Sequence, residues 1–315
     1  MKAVFLDLQS LDDLDLSALE ASVDELVTYM GTTADEVAER IQDADVVITN
    51  KVVLNAEQIA AASQLKMIAV VATGVNNIDL DAAKRRNIAV YNCQAYGVPS
   101  VVQHTVSLML ALHTNLLSYD RAVREGEWQK SPQFCLLDYP IRELAGRTLG
   151  VIGYGALGRG VAEIARAFGM QVLVAARDEH DKRPGRLQLA DLLPQVDVLT
   201  IHCPLTASTQ DLIDEAALAQ MKSDAVLINV ARGGVVNELA LAGALREGRL
   251  AGAATDVLTQ EPPTDDNPLL AGDIPNLIVT PHSAWGSKEA RQRIIGQTAD
   301  NILAFKADKG GYRVA

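Results

Sequence analysis

The stretch Thr148–Gly160, TLGVIGYGALGRG, decides how the rest of the chain is read. Thr148 to Ile152 is a short apolar run with the character of a buried strand. Gly153, Gly155 and Gly158 follow it in G-x-G-x-x-G spacing, ahead of a helical segment that ends near Phe168. Strand, glycine turn and helix in that order are the signature of a dinucleotide-binding βα unit. Gly153 permits the tight turn, Gly155 lets the backbone approach a pyrophosphate, and Gly158 allows close strand–helix packing. The phosphates then meet free amides and the positive end of the helix dipole. A glycine-rich turn without ligand is the plain alternative, and the flanking elements favour binding.

Downstream the same rhythm repeats. Strands are expected at Gln171–Ala175, Val196–His202, Ala225–Val230, Gly252–Val257 and Leu277–Thr280, the alternation of a doubly wound parallel sheet. Upstream, apolar runs at Ala3–Leu6, Val46–Thr49, Met67–Ala72 and Asn87–Tyr91 alternate with amphipathic stretches, among them a helix over Ala18–Leu26. Gly97-Val98-Pro99-Ser100 punctuates the chain before a long helix over Val101–Leu117. Arg124 to Glu143 reads as an extended loop, and a last amphipathic helix covers Lys288–Lys306. At 315 residues the chain exceeds what one hydrophobic core usually serves. The expected architecture is two α/β, Rossmann-like domains with doubly wound parallel sheets. One is a discontinuous substrate domain, residues 1–97 with 288–315, and the other a nucleotide domain, 98–287, with the site in the cleft between them.

Composition narrows the partners. Hydrophobic residues make up 49% of the chain and aromatics only 4%, so the cores must be built from Ala, Val, Leu and Ile. A net charge of −12 with no Lys/Arg-rich stripe offers no footprint for a phosphate backbone, which argues against nucleic acid. The N-terminal MKAVFLDLQSLDDLD carries acids early and lacks a long apolar run, so no membrane attachment and a cytoplasmic location are expected. Cys93, Cys135 and Cys203 are widely spaced and the histidines form no cluster, which argues against disulfides and a metal site.

At the end of the strand Gln171–Ala175 a NAD-specific site usually presents Asp or Glu to the ribose hydroxyls. This chain has Ala176 and Arg177 there. A small neutral residue followed by a guanidinium leaves space and charge for a 2'-phosphate, so NADP is expected to be preferred over NAD, with both usable. Asp178 stays open as an acid that serves the ribose instead, while Lys182 and Arg183 read as solvated charges.

Five further stretches join the glycine fingerprint: ATGVNNID (72–79), HCPLT (202–206), NVARGGVVN (229–237), DVLTQEPP (256–263) and PHSAWGS (281–287). Together they resemble the D-isomer-specific 2-hydroxyacid dehydrogenase family over nearly the whole chain. NNID and FCLLDYPI (134–141) are most similar to its glycerate dehydrogenase or hydroxypyruvate reductase branch. The resemblance implies hydride transfer from NAD(P)H to a small 2-keto acid of the hydroxypyruvate or glyoxylate type, giving a D-2-hydroxy acid such as D-glycerate. It implies Arg232 as the substrate arginine, Glu261 as the orienting carboxylate and His282 as the proton donor. Elementary chemistry agrees with each role. A planar guanidinium can grip a carboxylate while polarising the adjacent carbonyl. Hydride arriving at C2 builds alkoxide character that an imidazolium can quench. A carboxylate beside an imidazole favours its charged form. Alone, His282 after a proline or Glu261 in a turn would read as structural; their joint occurrence in these motifs decides otherwise.

The same resemblance implies that backbone amides of Thr73, Gly74 and Val75 receive the substrate carboxylate. It places Ala156, Leu157, Cys203, Pro204, Val230 and Ala231 along the cofactor, and Asp256 near the nicotinamide amide. His104, His113, His180 and His202 read as structural or solvated, with His202 only near the cofactor. A homodimer is expected through the Arg124–Glu143 loop, whose run Phe134–Leu137 with Tyr139 would be awkward on a monomer. Trp128 either reaches a neighbouring active site or fills a core. Rival readings are another branch of the family (phosphoglycerate, D-lactate or formate dehydrogenase) and a non-catalytic, nicotinamide-sensing corepressor on the same fold. The chain's short end disfavours an appended regulatory domain, and the Glu261–His282 pair disfavours the formate branch.

Overall fold

A computed structural model describes residues 1–315, which divide into two compact units: Met1–Gly97 with Gly286–Ala315, and Val98–Trp285.

The first unit is a five-stranded parallel sheet of β1 (Lys2–Phe5), β2 (Glu25–Thr28), β3 (Val46–Thr49), β4 (Met67–Val70) and β5 (Ala89–Tyr91), in the order β2-β1-β3-β4-β5. Every residue of β3, β4 and β5 is buried, the pattern of a parallel sheet covered on both faces. The helix expected over Ala18–Leu26 is instead one short turn, Ser17–Glu20, followed by β2. Leu19, Val23 and Leu26 carry a helical spacing, but Glu25–Thr28 finds an open edge at β1, pairing Lys2 with Glu25 through Phe5 with Thr28. Tertiary pairing overrides so short a local pattern. The last helix, Lys288–Lys306, packs on this unit through Ile294, Ile295, Ala299 and Ile302, all buried.

In the second unit seven parallel strands run β12-β11-β10-β9-β6-β7-β8. They are β6 (Thr148–Ile152), β7 (Gln171–Ala175), β8 (Arg186–Leu187), β9 (Val198–Ile201), β10 (Val226–Asn229), β11 (Gly252–Thr255) and β12 (Leu277–Val279). The chain leaves β6 toward β7 and β8, then returns to β9 on its other side. The C-terminal end of β6 is therefore a topological switch point, where open α/β sheets hold their ligands. Strand residues alternate between two cores. Leu199, Ile201, Leu227 and Ala253 face Leu218, Leu241 and Leu245. Val151, Val198, Ile228 and Ala254 face Val102, Leu108, Met109 and Val161.

The long helix spans Val98–Thr114 and is followed by a second, Leu116–Arg124, and a turn, Glu127–Lys130, so the stretch expected to be loop begins with a helical end. Trp128 sits in no core: it is half exposed, and its indole N–H donates to the Phe134 carbonyl at 2.9 Å. No helix is long and apolar enough to cross a membrane.

Candidate active site

The glycine turn is shaped as its spacing implies. Gly153 has φ +87°, and a Cβ there would lie 2.6 Å from the Cys203 nitrogen. At Gly158 a Cβ would fall 2.2 Å from the Gly153 carbonyl oxygen, so the helix sits against the turn only because Gly158 has no side chain. Gly155 faces open space and caps the helix Ala156–Ala167 without any side-chain hydrogen bond. The helices beginning at Glu215 and Glu238 are capped by Asp214 and Asn237. The amides of the first turn, at Ala156 and Leu157, are thus left for an anion, and the residues present fit a dinucleotide pyrophosphate.

His202 and Cys203 form the wall behind this turn. His202 donates its backbone N–H to Ile152 at 2.7 Å, and its Nε2 pairs with Thr200 Oγ1 at 2.9 Å, while Nδ1 is buried with no partner. Burial pushes the imidazole pKa down to about 4, so this histidine is neutral near pH 7. Burial also raises the Cys203 thiol, which stays protonated. Pro204 is exposed, and its carbonyl accepts from Thr209 Oγ1 at 2.7 Å.

At the end of β7, Ala176 is half-buried and Arg177 exposed. The acid that folds back on the strand end is Asp181 rather than Asp178. Its Oδ2 accepts the Arg177 backbone N–H at 2.9 Å, and Arg183 grips both its oxygens at 2.7 and 2.6 Å. Arg183 beside it holds the Asp181 carboxyl well below the usual carboxylate range. Arg183 is therefore an ion-pair partner rather than a free surface charge, whereas the Arg177 side chain makes no ion pair. Asp181 Oδ1 also accepts the Arg183 N–H two residues on at 3.2 Å, an Asx-type turn, but no local pattern marks its reach back to Arg177.

The catalytic candidates converge through their loops. His282 Nδ1 lies 2.6 Å from Glu261 Oε2, and Glu261 Oε1 accepts the Leu258 N–H at 2.8 Å. Because the carboxylate can only accept, Nδ1 carries the hydrogen, which leaves Nε2 outside this pair. Arg232 lies on the turn after β10. Asn229 braces that turn, donating from Nδ2 to the Arg232 carbonyl at 3.0 Å and accepting from the Ala231 N–H at 3.1 Å. The two glycines after Arg232 have separate causes: a Cβ on Gly233 would lie 2.0 Å from the Leu258 carbonyl, and Gly234 has φ +79°. The arginine turn therefore rests directly on the loop that carries Glu261. Val230 and Ala231 beside it are buried.

His282 has φ +53°, a left-handed conformation that a non-glycine residue keeps only when its surroundings enforce it. Asp256 is the enforcer. Its carbonyl accepts the His282 N–H at 2.8 Å. Its carboxylate, 1% exposed, accepts from Thr280 Oγ1 at 2.5 Å and from the Ser283 and Ala284 N–H groups, each at 2.9 Å. His104 Nε2 meets Thr280 Oγ1 at 3.1 Å, so that histidine supports the same loop from the helix Val98–Thr114. The role that sequence reasoning missed for Asp256 is this anchoring; an Asp 26 residues upstream of His282 carries no local signal of it.

In the first unit, Thr73, Gly74 and Val75 follow β4 on an accessible loop, and none of their N–H groups has a protein acceptor. A run of free amides at the C-terminal edge of a parallel sheet suits an anion.

Residues 106–284 match the profile of the D-isomer specific 2-hydroxyacid dehydrogenase, NAD binding domain. The chain is 46% identical to a glycerate dehydrogenase of Methylorubrum extorquens over 98% of its own length and 97% of the other's. It is 38% identical to a hydroxypyruvate reductase of Blautia hydrogenotrophica over 97% of each chain. Among solved structures it resembles an acyclic imino acid reductase in complex with NADPH and D-Arg, with TM-score 0.87, 29% identity and all of both chains covered.

Proposed function

This chain belongs to the D-isomer specific 2-hydroxyacid dehydrogenase family, and from that premise we propose that it reduces hydroxypyruvate and glyoxylate with a nicotinamide dinucleotide, forming D-glycerate and glycolate. The observation that carries the reading is the His282–Glu261 pair at 2.6 Å beside the braced arginine turn. When bound, the nicotinamide supplies the hydride. The chain's own groups do the rest: Arg232 binds the keto-acid carboxylate and polarises its carbonyl, His282 Nε2 delivers a proton to the oxygen, and Glu261 fixes the ring and balances its charge. Amides of Thr73, Gly74 and Val75 add donors to the carboxylate. In this assignment the unit Val98–Trp285 holds the dinucleotide and the other unit serves substrate. Steady-state turnover over a panel of 2-keto acids tests it. Preference for hydroxypyruvate and glyoxylate is expected; a folded, cofactor-binding protein inert across the panel would favour a corepressor-like module.

NADPH is the proposed preferred cofactor. Asp181 is committed to Arg183 and to the loop backbone, and the exposed Arg177 guanidinium is available to a 2'-phosphate. A charge-assisted contact of this kind is worth roughly ten- to a hundredfold in affinity. Arg177→Ala is expected to erase most of the ratio of kcat/KM for NADPH over NADH. A wild type that prefers NADH, or an unaltered ratio in the variant, refutes this reading.

The assembly proposed is a homodimer to which the Arg124–Glu143 loop contributes contacts, together with the exposed start of the helix Leu116–Arg124. Leu116, Leu117, Phe134, Leu137 and Ile141 are all exposed there, Phe134 at 91%. The segment is nonetheless ordered: Tyr119 Oη donates to the Tyr139 carbonyl at 2.6 Å, and the two rings meet edge to face at 5.2 Å. An apolar patch on a fixed support fits a second copy of itself better than water. Sedimentation at micromolar concentration should give a dimer, and a monomer refutes the proposal.

A further inference from the structure

We propose that Asn92 is a positioning residue for substrate, one that sets the direction of the amides at Thr73 and Gly74. It rests on the reading of that loop as the carboxylate site.

A trans peptide is planar, and its C=O and following N–H point in opposite directions. Whatever fixes one carbonyl therefore aims the next amide. Two donors at the end of β5 do this for the loop. The Cys93 N–H donates to the Ala72 carbonyl at 2.9 Å, which turns the Thr73 N–H outward. Asn92 Nδ2 donates to the Thr73 carbonyl at 2.7 Å, which turns the Gly74 N–H the same way. Thr73 Oγ1 adds a bond to the Cys93 carbonyl at 2.9 Å. The outward amides are those without a protein acceptor.

Of the two donors, only the one from Asn92 is written in a side chain, and that side chain is itself held. Asn92 is 5% exposed. Asn301, on the helix Lys288–Lys306 and 3% exposed, donates from Nδ2 to the Asn92 carbonyl at 2.8 Å. The Asn92 N–H donates to the Tyr312 carbonyl at 3.0 Å. Buried asparagines tied to backbone groups in this way form a stiff support. The support meets the loop carbonyls on one side and leaves the amides for an anion on the other.

A loop whose amides bind carboxylate in ground and transition states alike should affect KM rather than kcat. In Asn92→Ala, the Kd of the NADPH-loaded protein for oxamate, an unreactive 2-keto acid isostere, is expected to rise about tenfold. KM for hydroxypyruvate should rise in parallel, with kcat at saturation within about threefold of wild type and NADPH affinity unaltered. Asn92→Ser keeps a donor and should recover part of the loss; if the alanine variant does not fold, this variant and Asn301→Ala carry the test, both with weakened oxamate binding. Unaltered oxamate affinity in the folded variants overturns the proposal, as does an equal loss of NADPH affinity, which would mark general damage. A wild type that binds oxamate but reduces no keto acid refutes the proposed reaction, while the oxamate comparison still decides the role of Asn92. Should the wild type bind no oxamate at all, both readings fall.

Discussion

His282→Ala is expected to lower kcat by roughly 10²- to 10⁴-fold while the Kd for NADPH stays close to wild type, because the change removes a positioned general acid and nothing that holds the dinucleotide. The pyrophosphate turn is built from Gly153, Gly155 and Gly158, and the close contacts of Gly153 with Cys203 and of Gly158 with Gly153 do not involve the histidine loop. The loop itself should survive the substitution. Its shape is fixed by the Asp256 carboxylate through the Ser283 and Ala284 amides, and by Thr280 Oγ1. What disappears is the imidazole that Glu261 Oε2 orients at 2.6 Å. Single-turnover reduction of hydroxypyruvate, with NADPH binding measured by fluorescence, separates the two effects. Near-normal turnover would remove His282 from the mechanism, and lost cofactor binding would show that its loop serves the dinucleotide as well.

For Arg232→Lys, kcat/KM toward the keto acid is expected to fall by about 10²-fold or more, on the order of 3 kcal/mol of transition-state stabilisation. The charge is conserved, so the loss tests geometry. Arg232 Nη1 already donates to the Ala231 carbonyl at 2.7 Å, which orients the guanidinium plane and leaves its other N–H groups to be presented together. An ammonium on a flexible stem has no second edge: it either satisfies that carbonyl or reaches the substrate. The turn should not collapse, because the Asn229 side chain braces its backbone through bonds that the substitution leaves untouched. Equal kcat/KM in the two proteins would contradict the assignment of Arg232 as the carboxylate-gripping residue.

By itself, the sequence determined the β-α succession, the glycine turn and which residues are candidates for the reacting groups. Those features are local. Four or five consecutive apolar residues make a strand that a parallel sheet buries on both faces, and β6 and β7 begin and end where Thr148–Ile152 and Gln171–Ala175 predicted. Gly153 and Gly158 leave their mark because only glycine survives the conformation and the contacts at those points. Arg232, Glu261 and His282 are legible because their neighbours, two glycines and three prolines among them, form compact motifs. The tertiary structure alone decided what depends on partners far apart in the chain. Glu25–Thr28 became a strand because β1 offered an edge. Asp256, grouped with the cofactor residues by its motif, anchors the loop that forces His282 into a left-handed turn. Asp181 rather than Asp178 folds back on the end of β7. Asn92 reaches Thr73 across 19 residues, and Asn301 reaches Asn92 across 209. A motif reports a residue's own backbone and its immediate neighbours. The partner of a buried polar group is chosen by whichever donor or acceptor the packed strands and helices bring within about 3 Å, and no spacing in the chain encodes that choice.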